Sequence, residues 1–368
     1  MISEILFRIV SPMLFRAPGE FSPQARGPFS AARSLLLPTP STVAGCLATS
    51  LGRFSGIKGE NWEDEVLRAL GLPESAFLRG PYLVVEDEVY IPVEEMNGFI
   101  ELSNLGVYVD ALIRGENGSK KGDENDFKKE FISMQKYTIE HLGIKLKSKE
   151  KTIAIEEGGI YLARFRDYLA AFEGEDVWVG MEAHNFQPNV GGVAKLGGEG
   201  RITRIERRDS REIYKLVEEF KKVPTSRCAL VLVSHSLIEP PPNEPEMIES
   251  GIYVYPPLHR SIEKLLPYGV NVRSIVGSAS LLGTGFSIHE NRRCRKPVYA
   301  ALSPGTVIEI EYKPEHADSI VDTYNRGLSV IGGRIGYGTF IPVVFHNCQN
   351  TCGSLGSLSG SEGRMGRS

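Results

Sequence analysis

From residue 223 onward, short apolar runs typical of strands are separated by glycine-rich or proline-rich turns, and one clear helix interrupts them. In chain order these segments are CALVLVSHSLI, NVRSIVGSASLLGTGFSI, PVYAALSPGTVIEIEY, a helical segment around HADSIVDTYNRG, and IGGRIGYGTFIPVVF. Strands that follow one another through short connections pair as antiparallel neighbours, with helices packed on one face. The pattern therefore predicts an α+β fold with a ferredoxin-like (RRM-like) arrangement.

The first half of the sequence has similar strand and helix patterns and also contains a charged segment. Residues 4–10 predict a strand, Thr42 to about Phe54 a short apolar helix, and residues 61–70 a second helix. Between about residues 114 and 151 the composition shifts to Lys, Glu, Asp and Gly, which predicts a solvent-exposed insertion. We therefore predict two ferredoxin-like domains with antiparallel sheets, residues 1–222 with this charged insertion and residues 223–347, followed by a disordered Gly/Ser-rich tail at 348–368.

The charge balance limits the kinds of partner. Among the 368 residues, 42 Lys and Arg stand against 46 Asp and Glu, a formal net charge of −4. This excludes a uniformly basic nucleic-acid-binding protein, so any nucleic-acid contact must rest on a local basic surface. The start, MISEILFRIV, is too short and too charged for a signal peptide, and no apolar run approaches a membrane span. We expect a cytoplasmic protein with no membrane partner.

Signatures of common catalytic and metal sites are absent from the sequence. It has no G-x-x-x-x-G-K-[ST], H-E-x-x-H or G-x-S-x-G motif, and its 7 histidines are scattered. Its 5 cysteines are mostly far apart, and Cys348 and Cys352 form a single C-x₃-C pair with no second pair nearby. The sequence therefore predicts no catalytic residue, no metal and no cofactor, in a reducing compartment.

Glycine-rich segments with basic residues stand at the ends of predicted strands, at residues 191–201, 277–296 and 327–338. Backbone N–H groups in such loops form concave anion sites, and Arg or Lys adds charge-assisted bonds to phosphate. One such loop is more often an ordinary turn, but several with basic residues favour contact with a phosphate backbone. The candidate RNA-binding residues here are Lys195, Gly197, Gly198, Gly200, Arg201, Arg204, Gly283, Gly285, Arg292, Arg293, Arg295, Lys296, Gly332, Gly333, Arg334 and Gly336.

The N-terminal segment is locally basic. Its first 58 residues hold 6 Lys or Arg and 2 Glu, a local balance of +4. The sequence PTPST begins the first predicted helix, and the N–H groups and hydroxyls at a helix start attract anions. Further candidates are therefore Arg16, Arg26, Arg33, Ser41, Thr42 and Gly45, together with His184, which precedes the first glycine-rich segment. For His184 the alternative is an ordinary strand-end histidine bonded to the backbone.

Several motifs in the same order resemble a known family. They are PTPSTVAG after an arginine-containing loop, LGGEGR, GTGF with RKPVYAALSPGTVIEIEY, and the final IGGRIGYG. Together they resemble the RAMP superfamily, and within it the third subunit of the type III-B CRISPR (Cmr) effector complex, from about residue 5 to 345. The chain departs from the usual pattern at Phe286, where tryptophan is frequent, and in the loop from Ala17 to Pro28.

The resemblance implies two ferredoxin-like domains and a non-catalytic role in antiviral defence. Such a subunit holds the single-stranded 5′ handle of the CRISPR RNA (crRNA), docks on the large polymerase-like subunit, and adjoins the RAMP backbone subunits. Carried over by motif, Gly197, Gly198, Gly200 and Arg201 belong to the RNA-contacting loop. The same carry-over gives a helix start near the handle, at Ser41, Thr42 and Gly45, and a C-terminal glycine loop, at Gly332, Gly333, Arg334 and Gly336.

Two other functions remain open at the level of sequence. A RAMP endoribonuclease that processes CRISPR transcripts without metal would use a histidine such as His184 as general base. No compact His/Tyr/Lys constellation accompanies it. A purely structural subunit that contacts protein and touches RNA weakly would also fit the net acidic charge.

Overall fold

The structure is a computed structural model that describes residues 1–17, 31–32, 34–52, 61–115, 131–144, 160–198, 200–239, 258–284, 286–289, 292–295 and 297–345. The predicted sites Arg26, Arg33, Gly285 and Lys296 lie outside these residues. So do most of the predicted charged insertion and all of the predicted tail, including Cys348 and Cys352.

The strands dominate the fold. In chain order they are β1 Ile2–Ile9, β2 Ala31–Ala32, β3 Phe77–Val85, β4 Glu88–Val93, β5 Gly98–Glu101, β6 Phe131–Ser133, β7 Thr138–Ile144, β8 Ile160–Arg166, β9 Val177–His184, β10 Val193–Lys195, β11 Ile202–Arg208, β12 Arg227–Leu232, β13 Ser236–Glu239, β14 Asn271–Val276, β15 Ala279–Gly283, β16 Phe286–His289, β17 Arg292–Arg295, β18 Val298–Leu302, β19 Val307–Glu311 and β20 Phe340–Val344. The helices are α1 Pro40–Ser50, α2 Trp62–Leu70, α3 Leu105–Gly115, α4 Tyr168–Ala171, α5 Glu212–Lys221, α6 Leu258–Glu263 and α7 Ala317–Arg326.

Two main sheets organise the chain. An 8-stranded sheet has the order β10-β11-β1-β9-β3-β4-β5-β6, and a 4-stranded sheet has the order β14-β19-β12-β20. Smaller sheets are formed by β13-β18-β15, by β16-β17 and by β2-β8-β7. The predicted α+β class is confirmed. Antiparallel pairing prevails as expected, although β2 and β8 pair in parallel.

The large sheet is buried on both faces near β1. Ile5, Phe7 and Ile9 alternate toward a core that contains apolar side chains of α1 and α2. Leu6 points to the opposite face and joins a second core that contains the 4-stranded sheet, α5 and α7. Because strand side chains alternate between faces, one short strand contributes to both cores and fixes the two sheets against each other.

Helix boundaries follow local sequence signals. Asn61 caps α2 by accepting hydrogen bonds from Glu63 N and Asp64 N, and Gly71 ends this helix with φ 60°, as its sequence predicts. Helix α1 is shorter than predicted, since it stops at Ser50 and Gly52 turns to φ 68°. No helix in the described part of the chain is long and apolar enough to cross a membrane.

Candidate nucleic-acid interface

The loop between β10 and β11 is docked on one side and open on the other. Its base closes by a hydrogen bond from Leu196 N to Arg201 O, 3.0 Å, and Gly198 N donates to Leu14 O at 2.8 Å. Gly197 has φ 82°, and a Cβ there would lie 2.9 Å from Leu14 O. Gly200 also has positive φ, 70°, but no atom of the described residues would lie within 4 Å of a Cβ there. Glycine thus permits close docking at one position and leaves an open backbone at the other.

The guanidinium of Arg201 lies over an aromatic ring next to this loop. Its guanidinium carbon is 4.7 Å from the ring centroid of Phe165, which is 4% exposed. Its Nε is buried and has no hydrogen-bond partner within the described residues, which also give its side chain no ion pair. Contact with a ring uses the face of a guanidinium, whereas hydrogen bonding to an anion uses the N–H groups at its edge.

Arg16 brings a second cation to the same place. The Gly198 Cβ position lies 3.5 Å from Arg16 Nε, so this exposed side chain runs along the glycine loop. The backbone of Arg16 forms an antiparallel bridge with Ser34. The glycine loop is therefore connected, through Arg16, to the segment that begins at Ser34.

A cleft of about 840 Å³ begins at that segment and lies between the two halves of the chain. The first half contributes residues of β7, β8 and the loops before them, and the second half contributes β15 and its flanks. The lining residues are Ala17, Ser34, Leu35, Leu36, Glu94, Asn97, Gln135, Thr138, Glu140, Arg164, Arg166, Ser278, Ser280, Leu281, Leu282 and Ser303.

Sequence reasoning did not find the arginines of this cleft. Arg164 and Arg166 line it, while Phe165 between them faces the other way and supports Arg201. Arg166 donates from Nη1 to Thr138 Oγ1, 2.9 Å, and from Nη2 to Ser34 O, 3.2 Å. The signal was present in LARFR, where arginines alternate with an apolar residue at the period of a strand.

Other predicted residues of the hairpin formed by β10 and β11 lie on its exposed surface. Lys195 and Arg204 are exposed, and Arg204 Nε is 2.8 Å from Glu206 Oε1. Farther along β11, Arg208 is bound to Glu4 and Asp87.

Gly283 lies in β15, paired with Val298. The predicted basic residues Arg292, Arg293 and Arg295 form β17, paired with β16.

The start of α1 is only partly available to a ligand. Ser41 is buried, and its hydroxyl donates to Thr284 O at 2.9 Å and lies 3.0 Å from Tyr337 Oη. Thr42 and Gly45 are exposed one turn apart on the outer side of the helix. We therefore keep Thr42 and Gly45 as candidates and assign Ser41 to the packing between α1 and the second half.

The C-terminal glycine loop is a packing element rather than an open anion site. Gly332, Gly333 and Gly336 are buried, and a Cβ on Gly333 would lie 2.0 Å from Arg326 O. Arg334 donates through Nε and Nη2 to Ala76 O, at 3.3 and 3.2 Å. Because these groups face protein, we leave this loop out of the proposed interface, contrary to the expectation from its sequence.

His184 is buried away from the glycine loop. Its ring stacks on Phe77 with centroids 4.3 Å apart, and its Nε2 is 3.3 Å from Glu182 Oε2. Burial, together with nearby Arg79 and the N-terminal amino group, lowers the pKa of His184 to about 3. A histidine with such a low pKa is a weak base. Among the described residues, the ring of His184 contacts the side chains of Glu182 and Phe77 and not the backbone groups that the alternative interpretation expected.

The chain is similar to proteins of one CRISPR family. The family model described as CRISPR-associated protein (Cas_Cmr3) matches residues 10–96. A curated relative, the CRISPR system CMR subunit Cmr3 of Saccharolobus solfataricus, is 25% identical over 225 residues, which span 60% of this chain and 68% of the relative. The resemblance to this type III-B subunit that the sequence motifs indicated is confirmed.

Solved structures share the fold across nearly the whole chain. A chain of the type III-B Cmr-β complex bound to cognate target RNA matches with TM-score 0.56 and 20% identity, covering 92% of this chain and 96% of that one. A chain of the same kind of complex bound to cognate target RNA and AMPPnP, state 1, matches with TM-score 0.54 and 19% identity, covering 92% and 95%. At these identities the matches establish the fold.

Proposed function

We propose that this chain, a relative of the Cmr3 subunits of type III-B CRISPR systems, is the RNA-binding subunit that holds the 5′ handle of the crRNA. In this role it docks on the large polymerase-like subunit and adjoins the RAMP backbone subunits. The observation that carries the RNA-binding part is Arg201, which lies over Phe165 beside the exposed backbone of Gly200 and whose Nε has no partner among the described residues. The matched Cmr-β complexes, which contain target RNA, support the assignment to an RNA-guided assembly.

The geometry fits a single strand better than a duplex. The exposed backbone at Gly200 offers an approach for one phosphate, Arg201 follows it in the chain, and Arg16 Nε lies 3.5 Å from the Gly198 Cβ position. The adjoining cleft can take the neighbouring nucleotides only if they are unpaired, since bases must leave the stack to enter it. We place the handle along this path, from the glycine loop into the cleft.

The strand orders support the ferredoxin-like part of the proposal. In the second half, β12, β14, β19 and β20 follow one another in the chain, with α6 between the first two and α7 between the last two. Their order in the sheet places the first strand between the third and the fourth. In the first half β1, β3, β9 and β11 have the same relative order, and β4 to β8 are inserted between the second and third strands. We therefore propose two RRM-like units, of which the first is enlarged.

Arg201→Ala is expected to weaken binding of handle RNA and to make the dependence of affinity on salt less steep. Loss of one phosphate contact on a single strand reduces the slope of log K against log salt by about 0.7. Fluorescence anisotropy with a labelled handle oligonucleotide from 50 to 300 mM salt, roughly the range in which such slopes are measured, gives the value. Arg260→Ala removes an exposed arginine of α6 and serves as the matched control. An unchanged slope in Arg201→Ala contradicts the assignment.

We assign no catalytic role to the chain, and the endoribonuclease alternative has a direct test. Repeat-containing RNA incubated with the protein in metal-free buffer is expected to stay intact, because His184 is buried and a weak base. A discrete product that disappears in His184→Ala would favour the nuclease.

The protein partners can be identified by purification from the native host. Short RNAs with one shared 5′ end, together with a large subunit, would support handle binding in a complex. Protein partners without RNA would support the purely structural subunit instead.

A further inference from the structure

Each charged side chain of the cleft makes at least one contact with another group of the protein, although Arg166 Nε is buried without a hydrogen-bond partner among the described residues. Arg164 Nε is 2.8 Å from Glu140 Oε1, and Arg166 uses two of its nitrogens on Thr138 and Ser34. Glu94 Oε2 is 3.2 Å from His235 Nε2. The two arginines and two glutamates of the lining give it no net charge. The cleft therefore adds no net electrostatic attraction for the phosphates of a strand that enters it.

Neutral polar side chains of the lining are left without partners. Asn97, Gln135, Ser278 and Ser280 line the cleft, and their side chains make no hydrogen bond to any residue that the structure describes. Each of these groups both donates and accepts. They are suited to ligand groups that also do both, such as hydroxyls and the edges of bases.

Apolar side chains lie beside these polar groups. Leu281 is 53% exposed in the edge strand β15, and Leu35 and Leu282 line the same cleft. An exposed aliphatic surface next to free amides and hydroxyls can take the face of a base while its edge and sugar are hydrogen-bonded. This pairing of surfaces differs from the glycine loop, which offers the exposed backbone at Gly200 and the guanidinium of Arg201.

We propose that the neutral cleft selects RNA over DNA by hydrogen bonds from Asn97, Gln135, Ser278 and Ser280 to ribose 2′-hydroxyls and base edges. The glycine loop with Arg16 and Arg201 supplies phosphate affinity, which is the same for both kinds of strand. This inference rests on the proposed RNA-binding function and divides it into two separable parts. The 2′-hydroxyl is the group that distinguishes RNA from DNA at such a site.

The test compares a single-stranded RNA oligonucleotide of the handle sequence with the DNA oligonucleotide of the same sequence. Wild-type protein is expected to bind the RNA more tightly at every salt concentration. Gln135→Ala, Asn97→Ala and Ser280→Ala are each expected to lower the ratio of RNA to DNA affinity about threefold to tenfold, with the salt slope unchanged. Arg201→Ala is expected to change the slope and keep the ratio.

The controls keep the two parts distinguishable. Gln187→Ala makes the same substitution as Gln135→Ala at an exposed residue outside the cleft lining and is expected to change neither quantity. Equal affinity of the wild type for RNA and DNA, or an unchanged ratio in all the cleft variants, overturns the inference and leaves the proposed function standing. Failure of the wild type to bind either strand contradicts the proposed function as well.

Discussion

Replacing Arg79 with Met is expected to lower the free energy of unfolding by about 3–5 kcal/mol, because at least two buried hydrogen bonds from a charged donor are lost and each contributes roughly 1.5–3 kcal/mol. Arg79 lies in β3 and is fully buried. Its Nε donates to Tyr324 O at 2.7 Å and its Nη1 to Gly333 O at 2.8 Å. Methionine fills much of the same space but donates nothing, so these carbonyls of the second half lose their donors inside the core.

Urea denaturation followed by circular dichroism measures this change. Arg79→Lys keeps the charge but has one nitrogen in place of a planar fork, so it is expected to recover only part of the loss. Arg260→Met, in exposed α6, is expected to stay within about 0.5 kcal/mol of the wild type. A similar small effect of Arg79→Met would mean that the carbonyls find other donors and that Arg79 does not join the two halves.

Local signals in the sequence predict single elements well. Helix α2 is bounded by its own capping residues, Asn61 and Gly71. Helix α5 is marked by the helical spacing of its buried residues Ile213, Val217 and Phe220. Helix α3 has comparable spacing in Leu105, Tyr108 and Val109, all of which are buried, but it was not among the predicted elements. These patterns are readable because each depends on neighbours along the chain.

The cleft has no such local pattern. Its lining comes from segments near residues 35, 95, 137, 165, 280 and 303, which only the packing of the two halves brings together. Asn97, Gln135 and Ser280 are ordinary polar residues in the sequence, and they become notable because their side chains line the cleft without a hydrogen bond to any described residue. No spacing rule in a single sequence reports that condition.

Glycine clusters show the opposite difficulty, since one sequence signature has two structural outcomes. A Cβ at Gly200 would lie more than 4 Å from any atom of the described residues, whereas a Cβ at Gly333 would lie 2.0 Å from a backbone oxygen. Glycine is required at Gly333 by close packing, and at Gly200 a positive φ of 70° favours it. The sequence predicts that these glycines matter, but only the surroundings separate an open loop from a packed one.

Glu182 and His184 form a buried pair that carries one proton. Glu182 also accepts hydrogen bonds from Ile213 N and Tyr214 N at the start of α5, at 3.0 and 3.2 Å. Burial raises the pKa of Glu182 to about 7 although these bonds lower it. With the pKa of His184 lowered to about 3, the folded pair holds one proton between pH 4.5 and 6.5, on the carboxyl group.

The unfolded chain also holds one proton on these two groups in that window. Its ordinary pKa values, 4.5 for Glu and 6.5 for His, place the proton on the histidine instead. Stability changes with pH only where the folded and unfolded states bind different numbers of protons. The pair as a whole therefore leaves the free energy of unfolding nearly independent of pH between 4.5 and 6.5, although the pKa of each group is strongly shifted.

Glu182→Gln is expected to expose the contribution of the histidine. A depressed pKa gives stability that is present above the unfolded value of 6.5 and is lost as the pH falls toward 3. Relative to the wild type, the free energy of unfolding of this variant should fall by about 2–3 kcal/mol from pH 6.5 to 4.5. His184→Asn should give the opposite slope, because the raised pKa of Glu182 adds stability below 4.5 that is lost as the pH rises through 7.

Urea denaturation of the wild type and both variants at several pH values across this window measures the two slopes. Glu218→Gln, which neutralises a partly exposed carboxylate on α5, is the control and should run parallel to the wild type. Opposite slopes in the two variants would show that the core keeps its proton on Glu182 and a neutral ring at His184. Since a ring that stays neutral and buried cannot exchange protons with a bound RNA, that result would also remove the structural basis for a nuclease at His184. Parallel curves for all the proteins would place the proton elsewhere in the core.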